Sequence, residues 1–148
     1  MSNPKQMCTM RAGDLFIGVD VMRIQEVIGY QSSTPIPLAP PAVRGLINLR
    51  GQIITAVDLR RRFDLADRDP GVEPMNGVVV CPSGAVSLLV DSIGDVVEVL
   101  EATSEAVPST VSDKVRALVV GVYKFDGELM LELDVDAAVT LDAHLVSA

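Results

Sequence analysis

One fifteen-residue stretch of this chain occurs twice, and that repeat limits the available folds more than any other feature. Gly45-Leu46-Ile47-Asn48-Leu49-Arg50-Gly51-Gln52-Ile53-Ile54-Thr55-Ala56-Val57-Asp58-Leu59 aligns without a gap on Gly121 to Val135, an offset of 76 residues. Gly45, Gly51 and Asp58 fall on Gly121, Gly127 and Asp134, and seven further positions are apolar in both copies. Each copy reads as a strand, an Xaa-Gly turn and a second strand; Asp126-Gly127 is a favoured two-residue hairpin loop. An echo precedes each copy, with Gly13, Val19 and Asp20 landing on Gly84, Val90 and Asp91. Ile24-Gln25-Glu26-Val27 then matches Val96-Val97-Glu98-Val99 after one inserted residue. Two halves with the same motifs in the same order point to a duplication.

The rest of the chain is strand-like too. Leu129, Leu131, Leu133 and Val135 alternate onto one face. Gly77–Cys81 and Val86–Val90 flank the turn Pro82-Ser83-Gly84, and Cys8–Arg11 and Leu15–Val19 flank Gly13-Asp14. A helical turn is expected from Asp20, with Val21, Ile24 and Ile28 on one side. Short helices should follow Asp58 and run from Asp136 towards Leu145. Thr34 to Pro41 carries four prolines and reads as an extended connector. Many short antiparallel strands with glycine turns suit small barrels, which remove exposed sheet edges. The expected class is all-β with short helices: two related five-stranded barrel subdomains around a shared hydrophobic core.

At 148 residues such a chain buries roughly 70% of its unfolded surface and needs no metal or disulfide to fold. Cys8 and Cys81 are isolated and read as buried small hydrophobes. The net charge of −8 and the 20 acidic against 12 basic residues argue against nucleic acid, whose phosphates call for a basic face. Arg60-Arg61-Arg62 is a short basic run, read as a solvated face. No apolar run reaches the ~18–20 residues of a membrane span, and Met1–Met7 lacks a secretory core. A cytoplasmic protein without membrane insertion is expected.

Catalytic signatures are missing from the sequence. The single histidine, His144, lies close to the C-terminus and reads as solvated. Metal-ligand spacings, phosphate loops and dinucleotide fingerprints are absent, so neither metal nor cofactor is expected. An aspartic dyad of Asp58 and Asp134 is one hydrolase alternative, and a small-molecule-binding β-barrel is another. Each aspartate, however, closes a strand and opens a helical turn, the place of an N-cap, where asparagine should serve as well.

Gly45-Leu46-Ile47-Asn48-Leu49-Arg50-Gly51, followed by Val57-Asp58-Leu59-Arg60, resembles the signature of the CheW family. Gly13-Asp14 through Val21, Ile24-Gln25-Glu26-Val27-Ile28, Leu89-Val90-Asp91 and Gly121–Val135 extend the likeness. It implies a single CheW-like domain over residues 8–139, two interleaved barrels, with 1–7 and 140–148 as terminal segments. Thr55 departs from the pattern, where the family commonly has proline. The resemblance implies a non-enzymatic adaptor joining chemoreceptor cytoplasmic tips to the regulatory domain of a CheA-type histidine kinase, in membrane-associated arrays. Carried over by position, Arg50, Gly45 and Ile24 are expected to bind receptor, and Glu26 to bind receptor or kinase.

Overall fold

The computed structural model describes residues 3–141, and strands dominate them. The first half supplies β1 (Pro4–Ala12), β2 (Leu15–Asp20), β3 (Ile24–Ile28), β4 (Val43–Leu49) and β5 (Gln52–Asp58). The second supplies β6 (Met75–Cys81), β7 (Gly84–Val90), β8 (Ser92–Leu100), β9 (Val119–Phe125) and β10 (Glu128–Leu133). Three short helices join them: α1 (Leu59–Arg62), α2 (Asp113–Arg116) and α3 (Val135–Val139).

The strands form two five-stranded sheets, ordered β8-β1-β2-β10-β9 and β3-β6-β7-β5-β4. Replacing each strand by its counterpart in the other half converts one order into the other. The halves also exchange strands. β1 and β2 sit in the first sheet with β8 to β10, while β6 and β7 complete the second with β3 to β5. Both β4–β5 and β9–β10 slip register at the same place, after Val43 and after Val119, so the repeat extends to a matching bulge.

The all-β class with short helices is as the sequence implies. Barrel closure differs in detail, because neither ladder runs continuously round. In each sheet one isolated bridge ties the chain beyond one edge strand to the other edge: Thr34 to Leu46 of β4, and Glu105 to Val122 of β9. In the sheet that contains β4, the prolines after Thr34 keep that bridge from lengthening, since they lack the donors a longer ladder needs.

Packing follows the same plan. Cys8, Met10, Ile17, Val57, Leu88, Leu131, Leu133 and Val135 are among the buried side chains of a core shared by both sheets. A smaller cluster fills each sheet's own interior: Ile47, Leu49, Ile54, Ala56, Val78 and Leu89 in one, Met7, Val99, Tyr123 and Met130 in the other. The alternating face of β10 is buried at Leu131 and Leu133 and exposed at Leu129. Met130 is buried as well, because a curved sheet has an inside of its own.

Three local readings are corrected. Asp20 does cap a turn, accepting from the Met22 amide at 2.9 Å, but the turn is a single 3-10 turn, Val21–Arg23. Ile24–Ile28 is strand, and pairing with β6 overrides the helical spacing of Val21, Ile24 and Ile28. Residues 4–7, placed in a terminal segment, extend β1, since Met7 is fully buried and Lys5 meets Glu132 at 2.9 Å. The Arg60-Arg61-Arg62 run is no solvated face. Arg60 pairs with Asp91 and Arg61 with Asp67, and Arg62 donates to the carbonyls of Ala137 and Ala138. Cys8 and Cys81 are buried free thiols. The helix expected from Asp136 towards Leu145 is α3, which ends at Val139 because Thr140 turns to an extended backbone; His144 and the remainder of that stretch lie outside the described residues.

Candidate functional site

The turn joining β4 to β5 has Arg50 at φ 53° and Gly51 at φ 86°, the left-handed pair of a type I′ hairpin. Asp126 and Gly127 repeat it at 52° and 79°. Asn48 locks the first turn by accepting the Gly51 amide at 2.9 Å. Asparagine, aspartate or glycine suits the position Arg50 holds; arginine does not. Its guanidinium is exposed and pairs with Glu26. The hydrogen bond from Arg50 holds the Glu26 carboxyl below its ordinary range.

Glu26 lies on β3 and Arg50 at the tip of β4, the two opposite edges of one sheet. Their ion pair therefore spans the gap that the ladder leaves open. Two residues singled out from sequence are brought together. Ile24 begins β3 half-buried and packs against the shared core. Gly45 is buried at φ 145°, and a Cβ there would stand 2.2 Å from the Thr34 carbonyl oxygen. Thr34 and Leu46 exchange two backbone hydrogen bonds of 2.8 Å beside it. Gly45 is thus the seat on which the proline connector closes against β4.

Asp58 and Asp134 both cap helices. Asp58 accepts from the Arg60 amide at 3.0 Å, and Asp134 from the Ala137 amide at 3.1 Å. Asp134 makes an ordinary cap, so Asp134→Ala should cost about 1 kcal/mol in a urea titration, with the slope unchanged. Asp58 does more. Its carboxylate is 1% exposed and receives Arg68 through two hydrogen bonds of 2.9 and 3.1 Å, with Arg44 at 3.7 Å. Arg68 also reaches Asp91 at 3.1 Å, and Asp91 in turn takes Arg60 at 2.7 Å and the Gly13 amide at 2.7 Å. Burial alone would raise the Asp91 carboxyl; the bonds from Arg60, Gly13 and Arg68 outweigh it and hold the group low. The expectation that asparagine serves as well at Asp58 is therefore corrected, because it holds for the cap but not for the buried pair.

This network was missed from sequence. Arg68 sits in an irregular segment with no periodicity, and Asp91 is visible only as the echo of Asp20 and as the end of the Leu89-Val90-Asp91 match. The carboxylates of Asp58 and Asp134 are engaged by separate partners, which leaves the hydrolase dyad unsupported. The interiors of both sheets are filled by side chains, which disfavours a ligand-holding barrel. Among the described residues no group of three or more His, Cys, Asp and Glu is placed to hold a metal. No described helix is long and apolar enough to cross a membrane.

Residues 6–142 match the CheW-like domain. The chain is 31% identical to a chemotaxis protein CheW of Rhizobium meliloti (strain 1021) over 133 residues, covering 90% of this chain and 86% of that protein. It is 32% identical to the chemotaxis protein CheW of Thermotoga maritima over 122 residues, covering 81% and 78%. The crystal structure of the scaffolding protein TtCheW from Thermoanaerobacter tengcongensis superposes with a TM-score of 0.78 at 28% identity, over 88% of this chain and 89% of that one. With the duplicated sheets, the hairpin and the capped helices in place, the chain belongs to the CheW-like domain family, as a chemotaxis scaffold protein and not an enzyme.

Proposed function

We propose that this protein couples the cytoplasmic tips of chemoreceptors to the regulatory domain of a CheA-type histidine kinase, and reaches membrane-associated arrays through those partners. Arg50 and Ile24 are assigned to the receptor contact and Glu26 to receptor or kinase binding. Gly45 acts at the receptor site by shaping it. The observation that carries this reading is Arg50 itself. An arginine occupies a left-handed turn position that another residue would hold at lower cost, and its guanidinium is presented to solvent. A planar fork of donors held in that way suits a carboxylate on a partner helix.

The test uses Arg50→Asn, which keeps a residue that the turn favours and removes the charge. Thermal stability should hold or rise. Affinity for a receptor cytoplasmic fragment should fall about tenfold or more, while affinity for the kinase regulatory domain stays near wild type. Equal loss towards both partners would remove Arg50 from the receptor site. The charge-swapped pair Glu26→Arg with Arg50→Glu separates two roles for the arginine. It restores the intramolecular bond, so receptor binding that returned with it would make Arg50 a clasp and not a contact.

A further inference from the structure

The two halves treat the same opening in opposite ways. In the second sheet the gap between β3 and β4 is crossed by the ion pair of Arg50 with Glu26. In the first sheet the edge strands are β8 and β9, and the hairpin position that matches Arg50 is Asp126. Among the described residues no ion pair joins β8 to the β9–β10 hairpin. A solvent-open cleft of about 320 Å³ lies there instead, with Asp95 and Val97 of β8 on one side and Phe125 and Asp126 on the other.

One residue already shows what the walls of this cleft accept. The Arg11 guanidinium carbon lies 4.3 Å from the centre of the Phe16 ring, and Nη1 and Nη2 donate to the Glu128 carboxylate at 2.9 and 2.8 Å. A flat cation on an aromatic face, bidentate to a carboxylate, is the environment that suits arginine. A second ring stands beside the first: Phe125, its centroid 6.5 Å from that of Phe16. Both rings pack against Met7, Val99, Tyr123 and Met130, so the core fixes the floor. The rim carboxylates are placed as firmly. Asp126 sits in the left-handed turn with Gly127, and Asp95 belongs to β8, where its carbonyl accepts the Thr9 hydroxyl at 2.8 Å. Neither carboxylate has a partner among the described residues.

We propose that this cleft is a docking site for an arginine side chain displayed on the surface of a partner protein. Charge selects a cation, because three carboxylates line the cleft against one guanidinium, and that one is already bonded to Glu128. Shape selects arginine over lysine. A guanidinium can lie flat on Phe125 while its fork meets Asp126 or Asp95, whereas an ammonium is a compact point charge that gains less from a flat wall. A metal ion is a poor occupant, since no group of three or more His, Cys, Asp and Glu is placed to hold one among the described residues. The second sheet supplies the precedent within the molecule, where the arginine that crosses the gap is the chain's own. In the first sheet it comes from outside.

This inference goes beyond the adaptor reading and does not depend on it, because Arg50 and Asp126 belong to different sheets. The experiment follows the amide NMR signals of the full-length protein during titration with three blocked amino acids: the N-acetyl methylamides of arginine, citrulline and lysine. The arginine probe should shift the amides of residues 94–97 and 125–128 and reach saturation. Citrulline has nearly the same shape without the charge and should bind about tenfold more weakly or worse, as a lost charge-assisted hydrogen bond implies. Lysine should also bind more weakly than arginine. Asp126→Asn keeps a residue that the turn favours, and Asp95→Asn keeps the carbonyl that Thr9 uses. Each should melt like wild type yet weaken the arginine probe about tenfold. Equal binding of lysine and arginine would overturn the proposal, as would shifts scattered over the acidic surface without saturation. Wild-type affinity for the arginine probe in the double variant would overturn it too.

Discussion

Replacing Asp58 with asparagine should destabilise the protein by about 3–5 kcal/mol, the range seen when one partner of a buried ion pair is removed. Asparagine keeps the oxygen that caps α1, so the loss isolates the bond to Arg68. That arginine is 7% exposed and has two carboxylate partners, Asp58 and Asp91. Without Asp58 its charge is half compensated in a place water reaches poorly. The measurement is the midpoint of urea unfolding at constant slope. Asp58→Asn combined with Arg68→Met should recover part of the loss, because an apolar side chain leaves no buried charge unpaired. A loss below about 1 kcal/mol for the single variant would reduce Asp58 to the cap that Asp134 is.

Gly45→Ala should be nearly as damaging, at about 3 kcal/mol or more. The new Cβ would stand 2.2 Å from the Thr34 oxygen, which is backbone and cannot swing aside, and φ is 145°. Gly121→Ala supplies a control within the same molecule. There the nearest atom is the Ser104 hydroxyl at 2.8 Å, the end of a side chain that can rotate, with the Glu105 oxygen at 3.2 Å. Its cost should be about 1 kcal/mol. Thermal melts of both variants check the pair, and equal losses would deny Gly45 its special seat. Weakened receptor binding in Gly45→Ala would follow from a displaced connector, without any contact made by the glycine.

Much of this architecture is legible in the sequence because the repeat is local. Gly45–Leu59 and Gly121–Val135 announce themselves as hairpins through turn glycines and alternating apolar residues, and both appear as such. Arg50 stands out because it is a poor turn residue in a good turn. What stays hidden depends on distance along the chain. No pattern near Arg68 foretells that it joins Asp58 to Asp91, since that junction exists only once two sheets have packed. Glu26 and Arg50 were picked separately, and only sheet curvature shows that they are partners. Val21, Ile24 and Ile28 misled for the opposite reason. Five residues beginning with Ile24 are too few for periodicity to separate helix from strand, and pairing with β6 decides.

The exchange of strands between halves sets an order on synthesis. The second sheet needs nothing beyond β7, so it can close once Val90 has left the ribosome. The β1–β2 hairpin, made first, must wait for β10, which ends at Leu133. At roughly 5–20 residues per second that wait lasts about 6–23 s. Until β8 is complete at Leu100, the finished hairpin with its apolar face has no strand of its sheet to join. A hairpin made early is therefore completed late, and neither half is a unit that a cell can complete alone.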